Sequence, residues 1–200
     1  MVTAPTAARA SAYTLGAAVK RALIVIDVQN EYFPGGALPV THPAGTLPRI
    51  TAAIDAARAA GVPVITVQHS AAPDARVFAR GSERWQLHPE VAEREADLHF
   101  EKRLPGAFTD TPLAGWLRDR GVDTLVIAGY MTQMCCDTTA RQAVHRGLAA
   151  EFLSDATGTL DFANQAGTVS AEELHRAILV TQQWRFAKVL SAEEWTAALS

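Results

Sequence analysis

The chain has 200 residues, 48% of them hydrophobic and 20% charged, a balance that sustains one buried core and excludes a disordered polymer. A formal charge of −3 supplies no basic field for phosphate backbones, so nucleic acid is excluded as a partner, and no apolar run approaches the roughly 20 residues that span a bilayer. The two cysteines, adjacent at 135 and 136, fall short of a disulfide framework and point to a reducing, cytoplasmic setting.

Residues 1–20 carry Arg9 and Lys20 without an acid and hold no unbroken apolar run of the signal-peptide kind, so they read as a loose arm ahead of a single domain over 21–200. ALIVIDV at 22–28 is short and β-branched, the pattern of a parallel strand buried on both faces. Leu47, Ile50, Ile54 and Ala57 then recur at helical spacing up to a stop at Gly61, and VPVITVQ at 62–68 reads as the next strand. The alternation continues with a short strand at 98–102, a helix over 112–121, a strand at 123–129, a helix through 132–146 and a strand around 149–155. A helix at 171–183, a strand at 186–191 and a terminal helix opened by the capping-box spacing of Ser191 and Glu194 complete it. This is the signature of an α/β domain, a parallel sheet with helices on both faces. Two segments break the pattern, 34–45 and 70–97, and loops this long in a compact domain are commonly functional.

Open α/β sheets bind ligands beyond the carboxyl ends of their strands, and three reactive side chains are expected there. Asp27 lies at the end of the first strand in VIDVQN, Lys102 at the end of a predicted strand in FEKRLPGAF, and Cys135 just after the strand DTLVIAG. An acid at such a position is costly to bury unless paired. A cysteine at a helix N-terminus beside a lysine is expected to have a lowered pKa and to attack as thiolate. Asp27 could take the thiol proton and return it to a leaving amine, while backbone N–H groups of the turn GYMTQMC hold an oxyanion. Taken singly, each residue has a plainer reading: a core cysteine, a helix cap, a solvated lysine.

Three stretches in order, ALIVIDVQNEYFPGGALPV, GSERWQLHPE followed by FEKRLPGAF, and VIAGYMTQMCCDTTARQA followed by SDAT, resemble the isochorismatase-like cysteine hydrolases over about residues 20–192. The resemblance implies a three-layer α/β/α sandwich around a six-stranded, mainly parallel sheet. It also implies a catalytic triad of Asp27, Lys102 and Cys135, with the family's Gly, Thr, Cys spacing falling on Gly129, Thr132 and Cys135. Cys136 stands where relatives carry a small apolar residue such as Val, and is read as a bystander. A cis peptide is implied between Tyr130 and Met131, aiming the Met131 N–H at the oxyanion alongside that of Cys135.

The metal-dependent nicotinamidases carry an Asp-x-His motif and a further His beyond the second strand, where this chain has VQHSAAPD, with Gln68 in place of the acid and His69 as the only nearby imidazole. No metal and no cofactor are therefore expected. Retention of the thiol favours attack on a carbonyl, hence hydrolysis of a C–N bond in a small amide, carbamoyl or lactam substrate through a thioester. The alternatives are an isochorismatase-type vinyl-ether hydrolase or a non-catalytic binding member of the fold. Pocket candidates beside the motifs are Phe33, Trp85, Phe108 and Tyr130 as apolar walls, and Asn30, His69 and Gln133 as polar contacts. Relatives of this kind commonly assemble, so a homodimer or homotetramer is expected, with Trp85 able to reach a neighbouring subunit.

Overall fold

The computed structural model describes residues 19–199; all but Val19 and Lys20 of the expected N-terminal arm lie outside them. From Lys20 onward the chain is tethered, its N–H donating to the Asp123 carboxylate at 3.2 Å and its carbonyl accepting from the Asp123 N–H at 3.0 Å.

In chain order the elements are β1 (Arg21–Ile26), α1 (Thr46–Ala59), β2 (Val64–His69), α2 (Pro89–Ala92), β3 (Leu98–Lys102), α3 (Leu113–Asp119) and β4 (Thr124–Tyr130). There follow α4 (Asp137–His145), β5 (Ala149–Gly158), a hairpin of β6 (Phe162–Asn164) and β7 (Gly167–Val169), α5 (Ala171–Thr181), β8 (Lys188–Leu190) and α6 (Ala192–Ala197). Six strands form one sheet in the order β3-β2-β1-β4-β5-β8, and every pairing in it is parallel. Parallel neighbours need crossovers, and the helices supply them on both faces.

The apolar strands earn their burial by alternation. Along β1, Ala22, Ile24 and Ile26 enter one core with α3 and α4, while Leu23 and Val25 enter the other with α1 and α6. Both faces are dry, which is why β1 and β4 read as continuous apolar runs rather than alternating ones. Glu151 is a polar exception in this interior; it is satisfied by Arg21 at 2.9 Å and the indole N–H of Trp195 at 3.0 Å.

Three features differ from the sequence expectation. The helix expected over 132–146 opens as a π turn at Thr132–Cys136 before α4, and the one over 171–183 closes in a second π turn at Gln182–Phe186. The β6–β7 hairpin follows a β5 that runs to Gly158, past the expected 155. Its strands are three residues each, too short to show the period-two alternation by which a strand is recognised. Among the described residues no helix is long and apolar enough to cross a membrane.

Gly129 governs the approach of β4 to β1 near their carboxyl ends. Its φ is +112°, and a Cβ there would stand 2.0 Å from the Ile26 carbonyl oxygen. Gly129→Ala should therefore lose about 3 kcal/mol or more from backbone strain and overpacking. In a thermal melt that is a fall of roughly 6–12 °C for a chain of this size.

Candidate active site

The sheet order reverses direction between β1 and β4, and such a switch point leaves a crevice beyond the strand ends. Asp27 leaves β1 on one side of it, and Cys135 sits in the π turn that leaves β4 on the other. Lys102 ends β3, two strand spacings or roughly 9–10 Å from β1. Its side chain reaches back across the end of β2, passing His69, its paired residue in the β2–β3 register. A long, flexible amine is what such a span requires.

The three side chains meet. Lys102 Nζ donates to Asp27 Oδ2 at 2.7 Å and to Cys135 Sγ at 3.2 Å, and lies 3.3 Å from His69 Nδ1. The side chains of Lys102 and Asp27 are both 0% exposed, so this is a fully buried ion pair. Asp27 holds a left-handed backbone, φ +54°, fixed by its N–H to the Val67 carbonyl and by the Gln29 N–H on its own carbonyl. Such a conformation costs of order 1–3 kcal/mol outside glycine, and it clusters at functional sites. Its second oxygen, Oδ1, is buried without a hydrogen-bond partner among the described residues, a base with a free lone pair.

The electrostatics correct one expectation. Burial, and after it the Asp27 carboxylate, push the Cys135 thiol well above its ordinary range, outweighing the pull of Lys102. The ammonium is already neutralised by Asp27, so a thiolate here would be an uncompensated buried charge. Burial opposes the Lys102 charge too, but Asp27 and then Cys135 more than offset it and hold its pKa above the usual lysine value. The resting site is an ion pair beside a neutral thiol. Cys136 is 0% exposed against 6% for Cys135, and burial pushes its thiol up as well.

Asp27, His69 and Cys135 each offer a ligand atom within 4.8 Å of the others, which is the donor type and spacing of a metal site. All three, however, already contact one ammonium, Lys102 Nζ or its hydrogens. A divalent ion held by this set would sit against that buried cation, so the residues do not fit a resident metal. Gln68, buried, is turned away and donates to the Trp85 carbonyl at 3.0 Å.

The remaining candidates take varied places. Phe33 is half-buried between His88 and Tyr130, with ring centroids at 4.3 and 5.9 Å. Tyr130 is buried and its hydroxyl meets Thr46 Oγ1 at 2.7 Å; the peptide from Tyr130 to Met131 is cis. Asn30 Nδ2 donates to the Glu83 carbonyl, tying the first loop to the long insertion. Gln133, half-buried within the π turn that carries Cys135, has an enclosed Oε1 with no partner among the described residues. Met134 and Cys136 donate their backbone N–H groups to the Met131 carbonyl at 3.1 and 3.2 Å, which fixes that turn. Phe108 packs in the core with Cys135 and Cys136 and lies beneath the Arg146 guanidinium. Trp85 donates to Ser70 Oγ at 2.8 Å and lines an open groove of about 560 Å³ with Thr66, Gln68, Val91 and His99, a groove that includes none of Asp27, Lys102 or Cys135.

Several residues that build the site were not singled out from sequence. Buried Gln29 clamps His69 by both backbone groups, accepting its N–H at 2.9 Å and donating to its carbonyl at 3.0 Å. The buried carboxylate of Glu31 accepts from the N–H groups of Ala37 and Phe78 at 2.8 and 3.1 Å, joining the two irregular loops. Phe78 so held packs on His69 and on Tyr32, whose ring is sandwiched between Phe78 and Tyr130. Thr132 Oγ1 meets buried His175 Nδ1 at 2.8 Å, and His175 Nε2 meets the Ser154 carbonyl at 2.9 Å; burial lowers the histidine pKa to about 4, so it is neutral. The hint lay in VIDVQNEY, where Gln29 and Glu31 stand among apolar residues, but polar residues leaving a strand are usually solvated.

Comparison with known proteins agrees with this fold. A model of the isochorismatase domain matches residues 21–194. A protein of Burkholderia xenovorans LB400, provisionally assigned to the isochorismatases, is 54% identical and superposes with a TM-score of 0.90, covering 92% of this chain and 88% of its own. A cysteine hydrolase from Pseudomonas syringae pv. phaseolicola is 31% identical with a TM-score of 0.84, covering 90% and 92% of the two chains. Ureidoacrylate amidohydrolase RutB of Methylobacterium radiotolerans is 32% identical across 88% of this chain and 78% of its own length. With the domain match spanning nearly every described residue, and a switch-point site built on the motifs it covers, this chain belongs to the isochorismatase family of hydrolases.

Proposed function

We propose that the protein is a cysteine-dependent amidohydrolase that cleaves a C–N bond of a small amide, carbamoyl or lactam compound through a thioester on Cys135. The reading rests above all on the contact of one buried ammonium with both a carboxylate and a thiol, at 2.7 and 3.2 Å. The likeness to a ureidoacrylate amidohydrolase and to a cysteine hydrolase supports it.

Because the resting thiol is neutral, attack and deprotonation are coupled. As the Cys135 sulfur bonds to the substrate carbonyl carbon, its proton passes to Asp27 Oδ1, and the carbonyl oxygen becomes an oxyanion. The N–H groups of Met131 and Cys135 donate to that oxyanion. Collapse breaks the C–N bond, and Asp27 returns the proton to the departing amine or ammonia. Water then attacks the thioester, Asp27 again taking a proton, and the carboxylic acid leaves with the thiol restored. Lys102 keeps its charge throughout and holds the carboxylate and sulfur in register. Phe33 and Tyr130 as walls, with His69 and Gln133 as polar contacts, supply the substrate pocket in this reading, while Trp85 lines the separate groove, Phe108 stays in the core and Asn30 ties the loops; a homo-oligomer is its assembly.

A panel of nicotinamide-like amides, ureides, carbamoylated amines and lactams, assayed for amine or ammonia release with and without chelator, tests the proposal. At least one compound should be turned over, at a rate the chelator leaves unchanged, and mass spectrometry of quenched reactions should find the acyl group on the peptide containing Cys135. Activity lost to chelator and restored by zinc would defeat the metal-free mechanism.

A further inference from the structure

An ammonium has three N–H donors and no acceptor. Lys102 faces three acceptors, Asp27 Oδ2 at 2.7 Å, Cys135 Sγ at 3.2 Å and His69 Nδ1 at 3.3 Å, so its donors are fully used. Since lysine cannot accept, Nδ1 of His69 carries no proton, and the proton of the neutral ring sits on Nε2. Charging the ring would set two cations side by side. Burial first and Lys102 second lower the His69 pKa, with Asp27 opposing, so the imidazole stays neutral.

The ring is also immobilised. Gln29 clamps its backbone on both sides, Phe78 packs against it edge-on at 5.1 Å, and Lys102 fixes Nδ1. Its Nε2–H has no partner among the described residues, and the side chain is only half-buried. A ring nitrogen of His69 lies within 4.8 Å of both the Cys135 sulfur and an Asp27 oxygen. The unsatisfied Nε2–H thus belongs to a rigid ring that has one nitrogen within 4.8 Å of the Cys135 sulfur.

We propose that His69, locked as the Nε2–H tautomer by Lys102, donates a hydrogen bond to an oxygen or ring-nitrogen acceptor on the acyl side of the substrate, selecting amides that carry such an acceptor over plain aliphatic ones. The selectivity rests on the amidohydrolase reading; the donor itself does not. Rates of Cys135 alkylation by iodoacetamide, which carries an acceptor, and by 1-iodopropane, which does not, separate the two. Normalised to the same ratio for free glutathione, the protein should favour iodoacetamide by about tenfold, the worth of one hydrogen bond. His69→Ala, which removes the ring N–H, should bring that preference down to the glutathione value. A preference that survives in His69→Ala, or one absent from the parent protein, overturns the proposal. Long-range nitrogen–proton NMR of the parent protein should find His69 unprotonated at Nδ1, and a proton there would equally overturn it. Because alkylation needs no amide turnover, failure of the amide panel leaves this result readable.

Discussion

Replacing Cys135 by alanine should lower amide turnover by at least about 10⁴-fold, the scale at which removal of a catalytic nucleophile leaves only binding and oxyanion contacts. Cys136→Ala should stay within a few-fold of the parent and lose only about 1 kcal/mol of stability, the price of a small void. The asymmetry follows from placement. Cys135 touches Lys102 at 3.2 Å at the crevice, whereas Cys136, one residue on along the same turn, is 0% exposed and packs into the core with Phe108 and Ala140. Iodoacetamide followed by peptide mapping should label Cys135 ahead of Cys136; equal labelling, or the reverse, contradicts the assignment. Should Cys135→Ala still turn over isochorismate at the parent rate, acid cleavage of a vinyl ether would replace thiol chemistry as the activity.

Lys102→Met should be the most destabilising change at the site, by about 3–5 kcal/mol, because it strands the Asp27 carboxylate in a dry interior. With both side chains 0% exposed, the pair cannot be rescued by solvent. Adding Asp27→Asn to Lys102→Met should recover most of that stability and none of the activity, and a double-mutant cycle followed by urea unfolding measures the coupling. If the single variant unfolds like the parent, the buried ion pair does not stabilise the fold. The pH dependence has a definite sign. The ammonium pKa is raised on folding, burial being outweighed by Asp27 and Cys135, so its stabilisation is complete below about 10.4, the unfolded lysine value, and is lost as pH climbs through the higher folded value. The lysine's share of the parent's advantage over Lys102→Met should therefore hold across neutral pH and shrink in strongly alkaline solution.

The sequence alone determined the alternation of strands and helices and the convergence of Asp27, Lys102 and Cys135 on one rim, because a strand buried on both faces must be apolar throughout and residues that end parallel strands share an edge. Sequence similarity added the pairing of motifs that singles out Cys135 over Cys136. What it could not show was any quantity set by neighbours distant along the chain. The thiol's protonation is one: a helix start and a nearby lysine argue for a lowered pKa, but Asp27 had already neutralised that lysine and burial decides the rest. The clamp of Gln29 on His69, the Glu31 tie between two irregular loops and the tautomer of His69 are others, each resting on a hydrogen bond between segments 6 to 47 residues apart. Periodicity reports which face a residue takes; only the packed chain decides which polar partner waits for it there.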